Sequence, residues 1–164
     1  MQREVFPDDP WRIEDTYNTA IGQYGFQITP IQAVRAVSSI ANEGKLLTPS
    51  IVKEGSDRDP LILDINKEYF QVVKEGMRYS VTHGTAVGLQ IPGLKIAAKT
   101  GTAEVGNNKE SVHSWVTGFF PYDTPRYAFV VVMEQAPRGT LVGSVKVARD
   151  ILEWIMQNKP EYTF

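Results

Sequence analysis

Lys99, Thr100, Gly101 and Thr102 put an ammonium, a glycine and two hydroxyls on four consecutive positions. That set can hold a carboxylate: the ammonium supplies charge, the hydroxyls donate hydrogen bonds, and the glycine lets backbone or ligand come close. The tetrad lies in the run Leu94 to Val105, whose small and apolar residues predict a buried strand. Pro92-Gly93 bounds it upstream and Gly106-Asn107-Asn108 downstream. An unpaired buried ammonium is costly, so a lysine on such a strand needs a partner. The plain alternative is a strand end whose lysine reaches water along its own aliphatic stem.

Other reactive residues are sparse. The string Ser50-Ile51-Val52-Lys53 has the spacing of a serine activated by a lysine. It follows Leu47-Thr48-Pro49, however, and reads as extended chain, with its serine on an exposed strand edge. His113 stands beside Ser114, but neighbours on a strand face opposite sides, so they do not form a hydrolase pair. Trp115 and Phe119 read as core or cleft-lining residues, and Glu104 as a solvated or paired strand residue. Arg138-Gly139-Thr140 is a candidate border of the tetrad's cleft. His83 and His113 are the chain's two histidines, and it has no cysteine. A multi-histidine metal site, a disulfide and thiolate chemistry are therefore not expected, and neither is a cofactor.

The elements that must position the tetrad follow from periodicity and punctuation. Residues 1–19 are polar, with Pro7-Asp8-Asp9-Pro10, and predict an extended lead-in with Trp11 as an anchor. Gly22 and Gly25 mark a turn. Thr29-Pro30-Ile31-Gln32 is a capping-box start. Ile31, Val34, Val37, Ser38, Ile40 and Ala41 continue it as a helix, which Gly44 ends. Lys45 to Val52 reads as extended, and Glu54 to Pro60 as a charged loop. Asn66 caps a second helix with Tyr69, Phe70, Val73 and Met77 on one face, ending near His83-Gly84. After the tetrad, Ser114 to Tyr122 and Arg126 to Glu134 predict two more strands joined through Asp123-Thr124-Pro125. A last helix runs from Ser144 to Asn158, with Val145, Ala148, Ile151, Leu152, Ile155 and Met156 as its apolar stripe. The fold class is α+β: helices, an antiparallel sheet of about three strands, and a C-terminal helix packed on it.

Composition sets the frame. The 164 residues are 42% hydrophobic and 22% charged, as in an ordinary globular domain. A net charge of −2 gives no reason to expect nucleic acid or an anionic membrane as partner. No apolar run approaches the ~20 residues of a membrane span, and the polar N-terminus shows no signal peptide.

The tetrad also has a family context. Lys-Thr-Gly-Thr is one of three signatures of penicillin-binding proteins and serine β-lactamases. Around it stand Ala20-Ile21-Gly22-Gln23, Ile28-Thr29-Pro30, Gly84-Thr85-Ala86 and the run His113-Ser114-Trp115-Val116-Thr117-Gly118-Phe119. In this order and approximate spacing the chain resembles class B penicillin-binding proteins from about Trp11 to Trp154, and most of all the cell-elongation transpeptidase type. It departs from the family's Gly-Gln-Gly pattern at Tyr24, which separates Gln23 from Gly25.

The resemblance implies a partial penicillin-binding/serine β-lactamase-like fold, with residues 1–164 as the C-terminal portion of a transpeptidase domain. It implies that Lys99 steers and holds the terminal carboxylate of a D-alanyl-D-alanine stem peptide, or that of a β-lactam. Thr100 and Thr102 would hydrogen-bond the carboxylate, Gly101 would leave room for the ligand, and Thr102 N–H would be one of two oxyanion donors. The strand edge would pair with the substrate backbone. The family's nucleophile motif, Ser-x-x-Lys, precedes the Gly-Gln landmark and opens a buried helix; Ser50 follows that landmark. Ser-x-Asn, the remaining signature, occurs nowhere in the chain. The isolated chain is therefore expected to be inactive. The resemblance further implies a full-length protein anchored in the inner (cytoplasmic) membrane, with this domain outside the cytoplasm among the cell-elongation machinery. Two sheet strands from the front of the domain are expected beyond this chain, so self-association of the chain is expected too. A reading from another class remains: a non-catalytic module that binds peptidoglycan peptide or a protein partner through the same cleft.

Overall fold

The computed structural model describes residues 10–23, 27–52, 59–105, 110–139 and 143–163. Among these, a three-stranded antiparallel sheet carries helices on both faces. Strands β3 (Ala97–Val105), β4 (Ser111–Phe120) and β5 (Tyr127–Pro137) lie in the order β3-β4-β5. A short separate ladder joins β1 (Lys45–Leu46) to β2 (Leu61–Ile62). Helices α1 (Ile13–Ala20), α2 (Pro30–Ala41) and α3 (Lys67–His83) precede the sheet, and α4 (Gly143–Asn158) follows it. This is the α+β order that the sequence predicts.

Helix α1 corrects the expected lead-in. The Asp15 carboxylate accepts from Arg12 N at 2.9 Å, and Trp11 Nε1 donates to Thr16 Oγ1 at 2.8 Å. These local bonds start a helix whose apolar residues Ile13 and Tyr17 are exposed and whose one buried residue is Asp15. Trp11 is exposed and does not anchor in the core. The expected turn residue Gly25 lies outside the described residues, as does most of the charged loop before Pro60.

The capped helices form as predicted, and most of each expected apolar face meets the core, with Val37, Ile40 and Ala41 on α2 and Phe70 and Met77 on α3. Thr29 N donates to Gln32 Oε1 at 2.8 Å, closing the capping box of α2. Its buried residues are Ala33, Val37 and Ser39, while Ile31 is exposed. Asn66 Oδ1 caps α3 by accepting from Glu68 N at 3.0 Å. Its buried stripe is Phe70, Lys74, Met77 and Val81, so Tyr69 and Val73 are left exposed. The stripe includes a lysine because the Glu43 carboxylate lies 3.8 Å from the Lys74 ammonium, which offsets part of the cost of burying the charge.

Both sheet faces are covered, which explains why β5 is apolar almost throughout. On one face Val116, Phe120 and Ala98 pack with Ala148 and Leu152 of α4 and with Val81 and Leu89. On the other, Phe119 and Ala97 pack with Val37 of α2 and Met77 of α3. Burial of one such side chain contributes about 1.5–3 kcal/mol. Gly118 faces Ala98 across the β3–β4 pair; a Cβ there would lie 2.3 Å from the Ala97 carbonyl oxygen. The two strands approach closely because residue 118 has no side chain.

β5 runs on to Pro137, past its expected end at Glu134, by way of a bulge. Register shifts between Val112 and Ser114, so that His113 faces both Glu134 and Gln135. Gln135 takes a φ of 53° there, and its N–H donates to His113 Nδ1 at 3.0 Å. The extra residue is absorbed and the strand continues.

Candidate functional site

The site forms on β3, which among the described residues pairs with β4 alone and leaves its other edge open within the sheet. Register with β4 is unbroken from Ala97↔Phe119 to Val105↔Ser111. Side chains therefore alternate strictly. Thr100, Thr102 and Glu104 share the α4 face with Ala98, whereas Lys99 and Gly101 share the α2/α3 face with Ala97.

Main-chain groups alternate in the same way, and side-chain bonds show which point outward. Arg78 Nη1 donates to Ile96 O at 2.8 Å, Lys99 Nζ donates to Thr100 O at 2.5 Å, and Gln23 Nε2 donates to Glu104 O at 3.4 Å. Glu104 N also donates to Gln23 Oε1 at 3.4 Å. Even-numbered residues thus direct their N–H and C=O groups to the open edge. Thr102 lies between the Lys99 contact and the Gln23 clamp, with its N–H facing that edge.

Lys99 corrects one premise and one grouping. Its side chain is exposed rather than buried in a strand interior, because β3 is an outer strand. Its stem lines a groove of about 450 Å³ with Val37, Ile40, Met77 and Thr117, on the face opposite the threonine hydroxyls. The ammonium then turns to the strand edge to meet the Thr100 carbonyl. Charge and hydroxyls approach a common edge from two faces.

On the α4 face, the hydroxyls of Thr100 and Thr102 look into a cavity of about 320 Å³. Ser114 and Ser144 close its floor, with Oγ atoms 2.9 Å apart. Arg138 closes one end by pairing with the Glu104 carboxylate at 3.0 Å. Arg138 and Gly139 thus border the cavity as expected, and Thr140 lies outside the described residues. Trp115 borders the cavity from β4 with its side chain on the Gly101 face, whereas Phe119 is wholly core. A Cβ on Gly101 would meet Trp115 Cβ at an ordinary 3.4 Å. The fold itself does not demand glycine there.

Sequence reasoning missed two contributors. Thr85 Oγ1 lies 2.6 Å from Thr100 Oγ1, and Gln23 clamps the strand from 81 positions away. Both residues stand in landmarks visible in the sequence, but nothing local assigns them a contact with β3. Two other candidates fall away. Ser50 is exposed, with its hydroxyl engaged by Val52 N at 3.1 Å and Val52 O at 2.8 Å, and it opens no helix. Lys53 lies outside the described residues. His113 is occupied by the bulge. Among the described residues no cluster of three or more His, Cys, Asp or Glu side chains is placed to hold a metal. No helix among them is long and apolar enough to cross a membrane.

The sequence model of the penicillin binding protein transpeptidase domain matches residues 3–156. With the fold described above, this places the chain in that family. Its similarity is to the cell-elongation class B type. The chain is 29% identical to peptidoglycan D,D-transpeptidase MrdA of Haemophilus influenzae, over 92% of this chain and 27% of that protein. It is 31% identical to the MrdA protein of Escherichia coli strain K12, over 90% of this chain and 27% of that one. A solved complex between penicillin-binding protein PBP2 and MreC from Helicobacter pylori superposes with a TM-score of 0.79 at 30% identity. That match covers 97% of this chain and 30% of the other. The chain thus spans about a quarter of the length of the relatives it matches.

Proposed function

We propose that residues 1–164 are the C-terminal portion of the transpeptidase domain of a peptidoglycan D,D-transpeptidase, and that the β3 edge binds its D-alanyl-D-alanine stem peptide and β-lactams. The observation that carries this is the edge itself. Thr102 N–H faces outward there, between the Lys99 ammonium on one side and the Gln23 clamp on the other. An extended peptide can add to such an edge as a strand.

In this reading Lys99 supplies charge for the terminal carboxylate, and Thr100 and Thr102 donate hydroxyl hydrogen bonds to it. Gly101 leaves the ligand room to approach. Thr102 N–H serves as an oxyanion donor, a role worth about 10²–10³ in rate. The nucleophile and its base belong to segments of the full-length protein beyond this chain. That protein sits in the cytoplasmic membrane with this domain outside, and works with elongation partners; similarity to the PBP2 of the PBP2–MreC complex supports the latter.

Lys99→Ala in the full-length protein tests the reading. A charge-assisted hydrogen bond contributes about 1.5–3 kcal/mol, so penicillin acylation should slow about ten- to a hundredfold while the circular dichroism spectrum stays native. Unchanged acylation kinetics in the folded variant would remove Lys99 from the site.

A further inference from the structure

We propose that Thr85 is a positioning residue for Thr100, donating its hydroxyl proton so that the Thr100 proton is kept for a bound carboxylate. This rests on the assignment of Thr100 as a carboxylate-binding residue. The two Oγ1 atoms are 2.6 Å apart, so one hydroxyl donates to the other. Each threonine has a single hydroxyl proton and two acceptor lone pairs. Were Thr100 the donor, its lone pairs would face the carboxylate and repel it. With Thr85 as donor, Thr100 accepts from one side and donates to the ligand on the other. Such a chain also strengthens the outer bond by polarisation.

The surroundings fix Thr85 for this task. It follows α3 directly, in a loop held by Gly84 N and Ala86 N, which both donate to Ser80 O at 3.1 Å. Gly84 has no room for a side chain: a Cβ would lie 2.9 Å from Ser80 Cα. Ala86 on the other side is fully buried. Both neighbours are pinned, and the hydroxyl between them is aimed at β3. Thr85 and Thr100 line the same cavity. The loop is therefore a built support for the second residue of the tetrad rather than a mere connection.

The test is a titration of the full-length protein by two-dimensional methyl NMR, using N-acetyl-D-alanyl-D-alanine and its uncharged C-terminal amide. The protein and its Thr85→Val, Thr85→Ser, Thr100→Val and double-valine variants are compared. Thr85→Val should weaken binding of the acid about three- to tenfold and leave binding of the amide unchanged. Thr85→Ser should restore the affinity, and the double variant should bind no more weakly than Thr100→Val alone. If Thr85→Val binds the acid like the wild type while Thr100→Val does not, the positioning role is overturned and the carboxylate site stands. If Thr100→Val has no effect, or the wild type binds neither probe, the carboxylate reading fails and this role with it. Should Thr85→Val lose its dispersed spectrum, Thr85→Ala replaces it with the same expectations.

Discussion

A serine becomes a nucleophile only where a base can take its proton. Ser50 has no such setting: its hydroxyl is spent on the backbone of Val52, in an exposed segment that opens no helix. The isolated chain should therefore show no penicillin adduct by intact-mass spectrometry. A stoichiometric adduct that disappears in Ser50→Ala would restore Ser50 as a candidate. Motif and order were enough, in the sequence, to find the tetrad and to set Ser50 and His113 aside. They were not enough to see what supports the tetrad. The hydroxyl pair of Thr85 and Thr100, and the clamp of Gln23 on Glu104, are contacts made by folding. Residue type alone does not announce them. The burial of Lys99 was misjudged for a related reason: an apolar run does not say whether its strand is central or outermost.

At the level of elements, the site depends on β3 and β4 staying in strict register, since a slip of one residue would exchange the hydroxyl face for the lysine face. Gly118 guards that register. Gly118→Ala would bring a methyl against the Ala97 carbonyl oxygen and the Ala98 side chain. Neither can move without breaking the ladder. Overpacking of this kind costs about 1–3 kcal/mol, which for a chain of this size lowers the melting temperature by roughly 2–12 °C. Thermal unfolding followed by circular dichroism measures it; an unchanged midpoint would show that the strands separate there at no cost. The sequence showed the strong elements well, namely the two capped helices, the strands and the last helix, because caps and periodicity are local signals. It did not show α1, whose start is a pair of polar bonds, nor the bulge at His113, which depends on a positive φ at Gln135. The edges of the buried faces of α2 and α3, where Ile31, Tyr69 and Val73 are exposed and Lys74 is buried, escaped it for a third reason. Which side of a helix is buried is set by its neighbours, and Lys74 is buried because Glu43 is near.

For the molecule as a whole, the question is what happens at the other side of the sheet. β3 carries side chains along its edge, but β5 is the opposite outer strand of a sheet that has three strands among the described residues. Beside it lies an apolar groove of about 310 Å³, lined by Phe129, Val131, Ile151, Ile155 and Tyr162. Ile151, Trp154 and Tyr162 are each about half exposed nearby. An outer strand with unpaired main-chain groups next to an apolar surface is a template for another chain. We therefore expect the isolated chain to self-associate through the β5 edge and the adjoining face of α4. Ile151→Lys places a charge in that groove on a side chain that the fold already exposes. It should weaken association at least tenfold while the chain stays folded. Sedimentation over a wide concentration range decides the matter. A mass of 18.4 kDa at every concentration would mean that the chain shields its own edge, and that β5 needs no further strand.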